Sequence, residues 1–199
     1  MDAFLKQFSF GKVHDKKFSY TGIFINQMED DTIYIDQNEF VQNMPIFNYA
    51  KQDSQNILDK TENGWIRKTT GQLNWMASQT RPDISYDAFH FSMCLNRAKY
   101  EDAKYSTRAV LKSKYEDVKL RFSRLGSLRD LHLELYVDAA LGNVEEGEKT
   151  KSMMGYFIAL CDQNGNFSPL HWKSKVTPDI KTAETMALEI ALDDAIFMS

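Results

Sequence analysis

The sequence predicts an α+β fold, and three observations carry that prediction. Short segments rich in Phe, Tyr, Ile and Thr, separated by polar turns, open the chain. Apolar residues then recur at helical spacing between Gly71 and Tyr115, and after Gly126 the period returns to two before a last helical stretch. The architecture expected is an N-terminal β-meander, a helical middle and a closing β-β-β-α unit.

In chain order, Phe8 to Val13, Lys17 to Gln27 and Thr32 to Asp36 read as strands, with His14-Asp15-Lys16 and Glu29-Asp30-Asp31 short and polar enough for hairpin turns. A helix from about Gln37 to Met44 is stopped by Pro45. Residues 48–70, polar and containing Asn63-Gly64, are the most loop-like stretch. Leu73, Met76 and Ala77, followed by Ile84, Ala88, Phe91 and Leu95, fit two helices around an Arg81-Pro82 corner. A further helix from Asp102 to Tyr115 places Lys104, Arg108 and Lys112 at i, i+4 and i+8, so they form one basic stripe.

Beyond Gly126, Leu131, Leu133, Leu135 and Val137 alternate with His132, Glu134, Tyr136 and Asp138, a strand that ends on an aspartate facing away from the leucines. Ser152 to Cys161 and Phe167 to Val176 are two more strands, joined at Asp162-Gln163-Asn164-Gly165, where Asn-Gly suits a type I′ turn. Thr177-Pro178 leads into a helix from about Thr182 to Phe197. No repeat at solenoid periods is present.

At 199 residues, with 43% hydrophobic and 13% aromatic residues, the chain can bury a sizeable core in one large or two small domains, which excludes a low-complexity tail. No apolar run approaches the roughly 20 residues of a membrane span, and the N-terminus lacks a signal-peptide pattern, so an intracellular protein (cytoplasm or nucleus) without a membrane partner is expected. Cys94 and Cys161 lie far apart, and His14, His90, His132 and His171 are isolated; a disulfide scaffold, a cysteine zinc site and histidine-based metal chemistry are not expected.

The net charge of −4 conceals an uneven distribution: residues 97–129 carry 10 Lys+Arg against 4 Asp+Glu, while residues 130–199 carry 5 against 12. A basic middle between acidic flanks suits a polyanion track beside a carboxylate-rich region, and a solvated helix face is the plain alternative.

Two carboxylates stand out. Asp138 ends a strand, and Glu184, in the first turn of the last helix, shares a face with Leu188, Ala191, Leu192 and Ala195 and is expected to point toward the sheet. Glu189 and Asp193 fall on the opposite side, as solvated residues. A strand-end aspartate facing a helix glutamate is an arrangement that holds Mg²⁺ for phosphodiester hydrolysis. A turn cap at Asp138 and a favourable helix-dipole placement of Glu184 is the structural alternative.

The chain also resembles the copia-type retrotransposon polyprotein, at the end of its reverse transcriptase and the start of its ribonuclease H domain. Gly71-Gln72-Leu73-Asn74-Trp75-Met76 and Thr80-Arg81-Pro82-Asp83-Ile84 are similar to the family's Gly-x-Leu-x-Trp-Leu and Thr-Arg-Pro-Asp-Ile signatures. Tyr136-Val137-Asp138-Ala139, Gly155-Tyr156, Trp172-Lys173-Ser174-Lys175 and Ala183-Glu184-Thr185-Met186-Ala187-Leu188 resemble its ribonuclease H blocks, in order. Phe18-Ser19-Tyr20-Thr21-Gly22-Ile23 and Ile33-Tyr34-Ile35-Asp36-Gln37 resemble the segments that follow the polymerase turn. Thr182 stands where the family has a first Glu, and Ser113-Lys114 where it has Tyr-Leu.

The resemblance implies a primer-grip-like meander and thumb and connection helices over residues 1–126, then a truncated ribonuclease H-like domain over 127–199. It implies Asp138 and Glu184 as catalytic Mg²⁺ ligands, and Lys104, Arg108 and Lys112 as contacts to an RNA–DNA hybrid or DNA duplex. Family chemistry is RNA-directed DNA synthesis and two-metal RNA strand hydrolysis. The sequence carries no Tyr-Val-Asp-Asp turn, and Ser199 precedes the strand that would bear a third aspartate, so both active sites are expected to be incomplete and the isolated chain inactive. A non-catalytic nucleic-acid or protein binding module is the alternative, and the rest of a polyprotein is a further partner. Trp65, Trp75 and Trp172 are expected in core packing rather than base stacking.

Overall fold

Two positive-φ residues in succession, Thr21 (φ 49°) and Gly22 (φ 81°), turn the N-terminal segment back on itself. They form a two-residue connection of the I′ kind between β1 (Lys17–Tyr20) and β2 (Ile23–Gln27), with Tyr20 paired to Ile23. The single strand expected over Lys17 to Gln27 is therefore a hairpin. β3 (Ile33–Asp36) continues the meander antiparallel to β2. The computed structural model describes residues 15–48, 55–146, 149–177 and 183–198, and some side chains within its strands and helices, Glu184 among them, lie outside that description. The strand expected at Phe8 to Val13 also lies outside it.

A helical block follows. α1 (Asn38–Gln42) is shorter than the sequence predicts, but Val41 and Met44 still anchor it in the core. α2 (Lys60–Gln79) begins ten residues before the end of the stretch expected to be a loop. Its start is fixed by a capping box: the Asp59 carboxylate accepts from the Glu62 backbone N–H at 2.8 Å, and the Glu62 carboxylate accepts from that of Asp59 at 2.9 Å. That reciprocal cap outweighs Asn63-Gly64, which sits inside the helix. A 3₁₀ turn at Pro82–Ile84 makes the corner into α3 (Ser85–Cys94), and α4 (Tyr100–Tyr115) follows.

β4 (Leu120–Phe122) then returns to pair with β3, completing a sheet of order β1-β2-β3-β4. The main core lies among α1 to α4, where Met44, Leu73, Met76, Ile84, Phe91 and Val110 are buried together. Trp75 packs edge-on against Phe40, and Trp65 lies against Phe47.

The second antiparallel sheet has the order β5-β6-β7, built from β5 (His132–Glu146), β6 (Lys149–Cys161) and β7 (Phe167–Thr177), with α5 (Ala183–Met198) after it. The fold class is thus α+β, with two antiparallel sheets. β5 does not end at Asp138: it runs on to Glu146, and Asp138 pairs with Gly155 in the middle of the ladder.

The hairpin at Asp162 to Gly165 forms where expected, with a different turn. Only Gly165 (φ 79°) has positive φ there, and the Asp162 carboxylate organises the loop by accepting from the backbone N–H of Asn164 (2.9 Å) and Asn166 (3.0 Å). α5 is apolar on most sides, so periodicity alone fixes its rotation poorly. Ile190 and the fully buried Ala191 pack on Leu133, Leu135 and Val137, whereas Leu188 and Leu192, expected inward, are 47% and 45% exposed. The second sheet is tied to the N-terminal part by hydrogen bonds from Ser168 Oγ to the carbonyl of Ser123, just after β4 (3.2 Å), and from Trp172 Nε1 to the carbonyl of Ala77 in α2 (2.5 Å). No helix among the described residues is long and apolar enough to cross a membrane.

Candidate functional site

Three features of this scaffold can carry chemistry. The first is α4. Its inward side is set by Ala103, Ser106, Thr107, Val110 and Ser113, all buried. Helical geometry then leaves Lys104, Arg108 and Lys112 on the outer side, where all three are exposed. Among the described residues no carboxylate forms an ion pair with any of the three. Other cations of the tract are engaged locally: Lys114 Nζ donates to the Gln42 carbonyl at 2.9 Å, and Arg124 pairs with Asp31 at 3.2 Å.

The second feature is the pair of sequence-predicted carboxylates. Strand alternation in β5 puts Leu133, Leu135 and Val137 under α5 and puts Asp138 on the other face, where it is exposed. Glu184 stands in the first turn of α5, seven residues before Ala191. Its side chain lies outside the described residues, so no contact between the two carboxylates is described. Glu189 and Asp193 are exposed. Asp194 turns toward the sheet, accepting from the Tyr156 hydroxyl and lying 3.6 Å from His171 Nε2. Burial and the Asp194 carboxylate together push the Tyr156 phenol well above its ordinary range.

The third feature bears on the expectation that cysteine and histidine take no part in metal chemistry, because it consists of side chains that could hold an ion. Two groups of three potential ligands lie with their ligand atoms within 4.8 Å of one another: His90, Cys94 and Asp102, and His132, Glu134 and Cys161. In the first, one turn of α3 brings Cys94 Sγ to 3.9 Å from His90 Nε2, and α4 adds Asp102, whose Oδ2 caps the Lys99 backbone N–H at 2.8 Å. Burial, with Asp102 nearby, pushes the Cys94 thiol up to about 11. Beside it an open groove of about 460 Å³ is lined by His90, Glu101, Asp102, Lys104, Tyr105 and Arg108, so the basic stripe borders this cluster.

In the second group, His132 and Cys161 are cross-strand partners and Glu134 is the next residue on the same face of β5. Hydrogen bonds from Tyr136 and His132 hold the Glu134 carboxyl below its ordinary range. His90-x-x-x-Cys94 is a helical i, i+4 spacing and was a signal in the sequence; Cys161 joins His132 only through strand register. No protein-family profile and no curated protein matches this chain, which leaves the stripe, the carboxylates and the two mixed-ligand clusters to be interpreted from their own chemistry.

Proposed function

We propose that the chain binds an RNA–DNA hybrid or DNA duplex as part of a copia-type reverse transcriptase and ribonuclease H, with Lys104, Arg108 and Lys112 meeting backbone phosphates. The observation that carries this reading is the exposure of the three cations on one side of α4, none paired with a carboxylate among the described residues. Cations spaced along one helix face give salt-dependent, sequence-independent affinity, which suits an enzyme that must travel along its template. The antiparallel β5-β6-β7 unit followed by α5, with Asp138 at the centre of β5, supports the ribonuclease H-like part of the reading. In that part Asp138 and Glu184 are the Mg²⁺ ligands, and the ion would activate water toward a phosphodiester.

A second reading, a retrotransposon-derived binding module without catalysis, is favoured by the position of Asp138 on the sheet face away from the α5 contacts. One experiment tests both. Purified chain is titrated onto a labelled RNA–DNA hybrid at low salt, with and without Mg²⁺, alongside Asp138→Asn. Hybrid binding supports the proposal. Mg²⁺-dependent cleavage lost in Asp138→Asn overturns the expected inactivity of the isolated chain; hybrid binding strengthened by Mg²⁺ and weakened in Asp138→Asn selects the polymerase and ribonuclease H fragment, binding indifferent to both selects the module, and no binding at low salt overturns both.

A further inference from the structure

We propose that His132, Glu134 and Cys161 bind a transition-metal cation of the Zn²⁺ type on the face of the β5-β6-β7 sheet that α5 leaves uncovered. The three side chains come from two hydrogen-bonded strands, a backbone frame that fixes their separation. His132 and Glu134 alternate onto one face of β5, and register places Cys161 of β6 directly opposite His132. The ligand atoms lie within 4.8 Å of one another, and His132 Nε2 is 3.3 Å from Glu134 Oε1. Tetrahedral zinc holds its nitrogen and oxygen ligands about 3.3 Å apart and its nitrogen and sulfur ligands about 3.6 Å apart, given the usual bond lengths. The geometry therefore needs little adjustment.

The donor set selects the class of ion. One imidazole, one thiolate and one carboxylate suit zinc and its neighbours, whereas Mg²⁺ prefers oxygen alone. Cys161 is buried, on the strand opposite His132. A divalent cation bound between its thiol and the Glu134 carboxylate displaces the thiol proton to solvent as the metal–sulfur bond forms. The other Glu134 oxygen accepts from the Tyr136 hydroxyl, a contact that orients the carboxylate.

Three protein ligands leave a fourth position open. A cavity of about 470 Å³, whose lining includes Glu134, Tyr136, Phe157, Cys161 and Phe167, adjoins it. Water or a small donor ligand with an apolar ring fits that space. The site is separate from Asp138, which lies four residues along β5 from Glu134, about 13 Å at strand rise.

The test is a titration of the full chain with Co²⁺, a spectroscopic stand-in for zinc. The expected result is a thiolate-to-cobalt charge-transfer band with the visible bands of a tetrahedral ion, removed by Zn²⁺. The band disappears in Cys161→Ser, weakens in apparent affinity by at least about tenfold in His132→Ala and Glu134→Gln, and is unchanged in Cys94→Ser. His132 and Glu134 side chains are 51% and 42% exposed, so those two variants fold and keep the test decisive should Cys161→Ser not. Absence of the band, a band that persists at full affinity in His132→Ala, or one lost in Cys94→Ser overturns the proposal.

Discussion

Arg81 grips Asp83 with both prongs of its guanidinium, Nε donating to Oδ1 and Nη2 to Oδ2, each at 2.8 Å, across the intervening Pro82. Arg81 is only 1% exposed and is the largest fully buried side chain among the described residues. Its remaining nitrogen, Nη1, reaches the Ser113 carbonyl at 3.4 Å, and Glu116 lies 3.8 Å from Nη2. The Thr-Arg-Pro-Asp stretch is thus a clamp that holds the corner between α2 and α3 against the end of α4. At Ser113, the hydroxyl donates to the Ala109 carbonyl at 2.9 Å, so this small residue fits the clamp without a larger side chain.

Removing one partner of such a pair leaves a buried charge uncompensated. Asp83→Asn is therefore expected to destabilise the chain by about 3 kcal/mol, the lower end of the usual range because Asp83 is itself 32% exposed. Urea unfolding followed by circular dichroism measures this, and a loss below about 1 kcal/mol would show that Glu116 or water replaces the carboxylate.

Gly22 gives the second prediction. Its φ of 81° is one that side chains rarely adopt, and a Cβ there would lie 3.1 Å from Cη2 of Trp75, which is itself packed against Phe40. Gly22→Ala is expected to cost about 1–2 kcal/mol from the backbone conformation, with the Trp75 contact added. Thermal unfolding gives the size, and a shift in Trp75 fluorescence or ring resonances shows whether the indole has moved. Wild-type stability with an unmoved Trp75 would refute the I′ turn at this hairpin.

These two sites show what was legible in the sequence and what was not. Alternation of Leu133, Leu135 and Val137 with polar residues disclosed the buried face of β5, and the i, i+4, i+8 spacing of Lys104, Arg108 and Lys112 disclosed the outer face of α4, because each is a property of one element. The start of α2 was missed because Asn63-Gly64 is a strong local turn signal, whereas the Asp59-to-Glu62 capping box acts only once the helix exists. The turn at Asp162 was located but mistyped, since one carboxylate gathers three backbone and side-chain donors there. The cluster of His132, Glu134 and Cys161 was not legible at all: its spacing is set by strand register.

Asp162 yields a pH dependence with a definite sign. Hydrogen bonds from Asn166, Asn164 and Gly126 hold its carboxyl below the ordinary 3.8. A depressed folded value contributes stability that is fully present above 3.8 and is lost as pH falls through the lower folded value. The stability gap between wild type and Asp162→Asn should therefore be constant from neutrality to about pH 5 and shrink below pH 4. Unfolding curves at a series of pH values read this directly; a gap that grows on acidification contradicts the assignment.

The basic stripe makes the last prediction. Each cation that neutralises a phosphate contributes about 0.9 to the slope of log affinity against log salt on duplex DNA. Replacing Lys104, Arg108 and Lys112 together by Gln should lower that slope by up to about 3 and weaken binding equally for unrelated duplex sequences. All three are exposed, so the triple variant should keep wild-type stability, which separates a lost contact from a lost fold. Because Lys114, Lys119 and Arg124 are already engaged with Gln42, Asp117 and Asp31, replacing those three should change the slope much less. Equal effects from the two sets would mean that net charge, rather than the outer face of α4, governs binding.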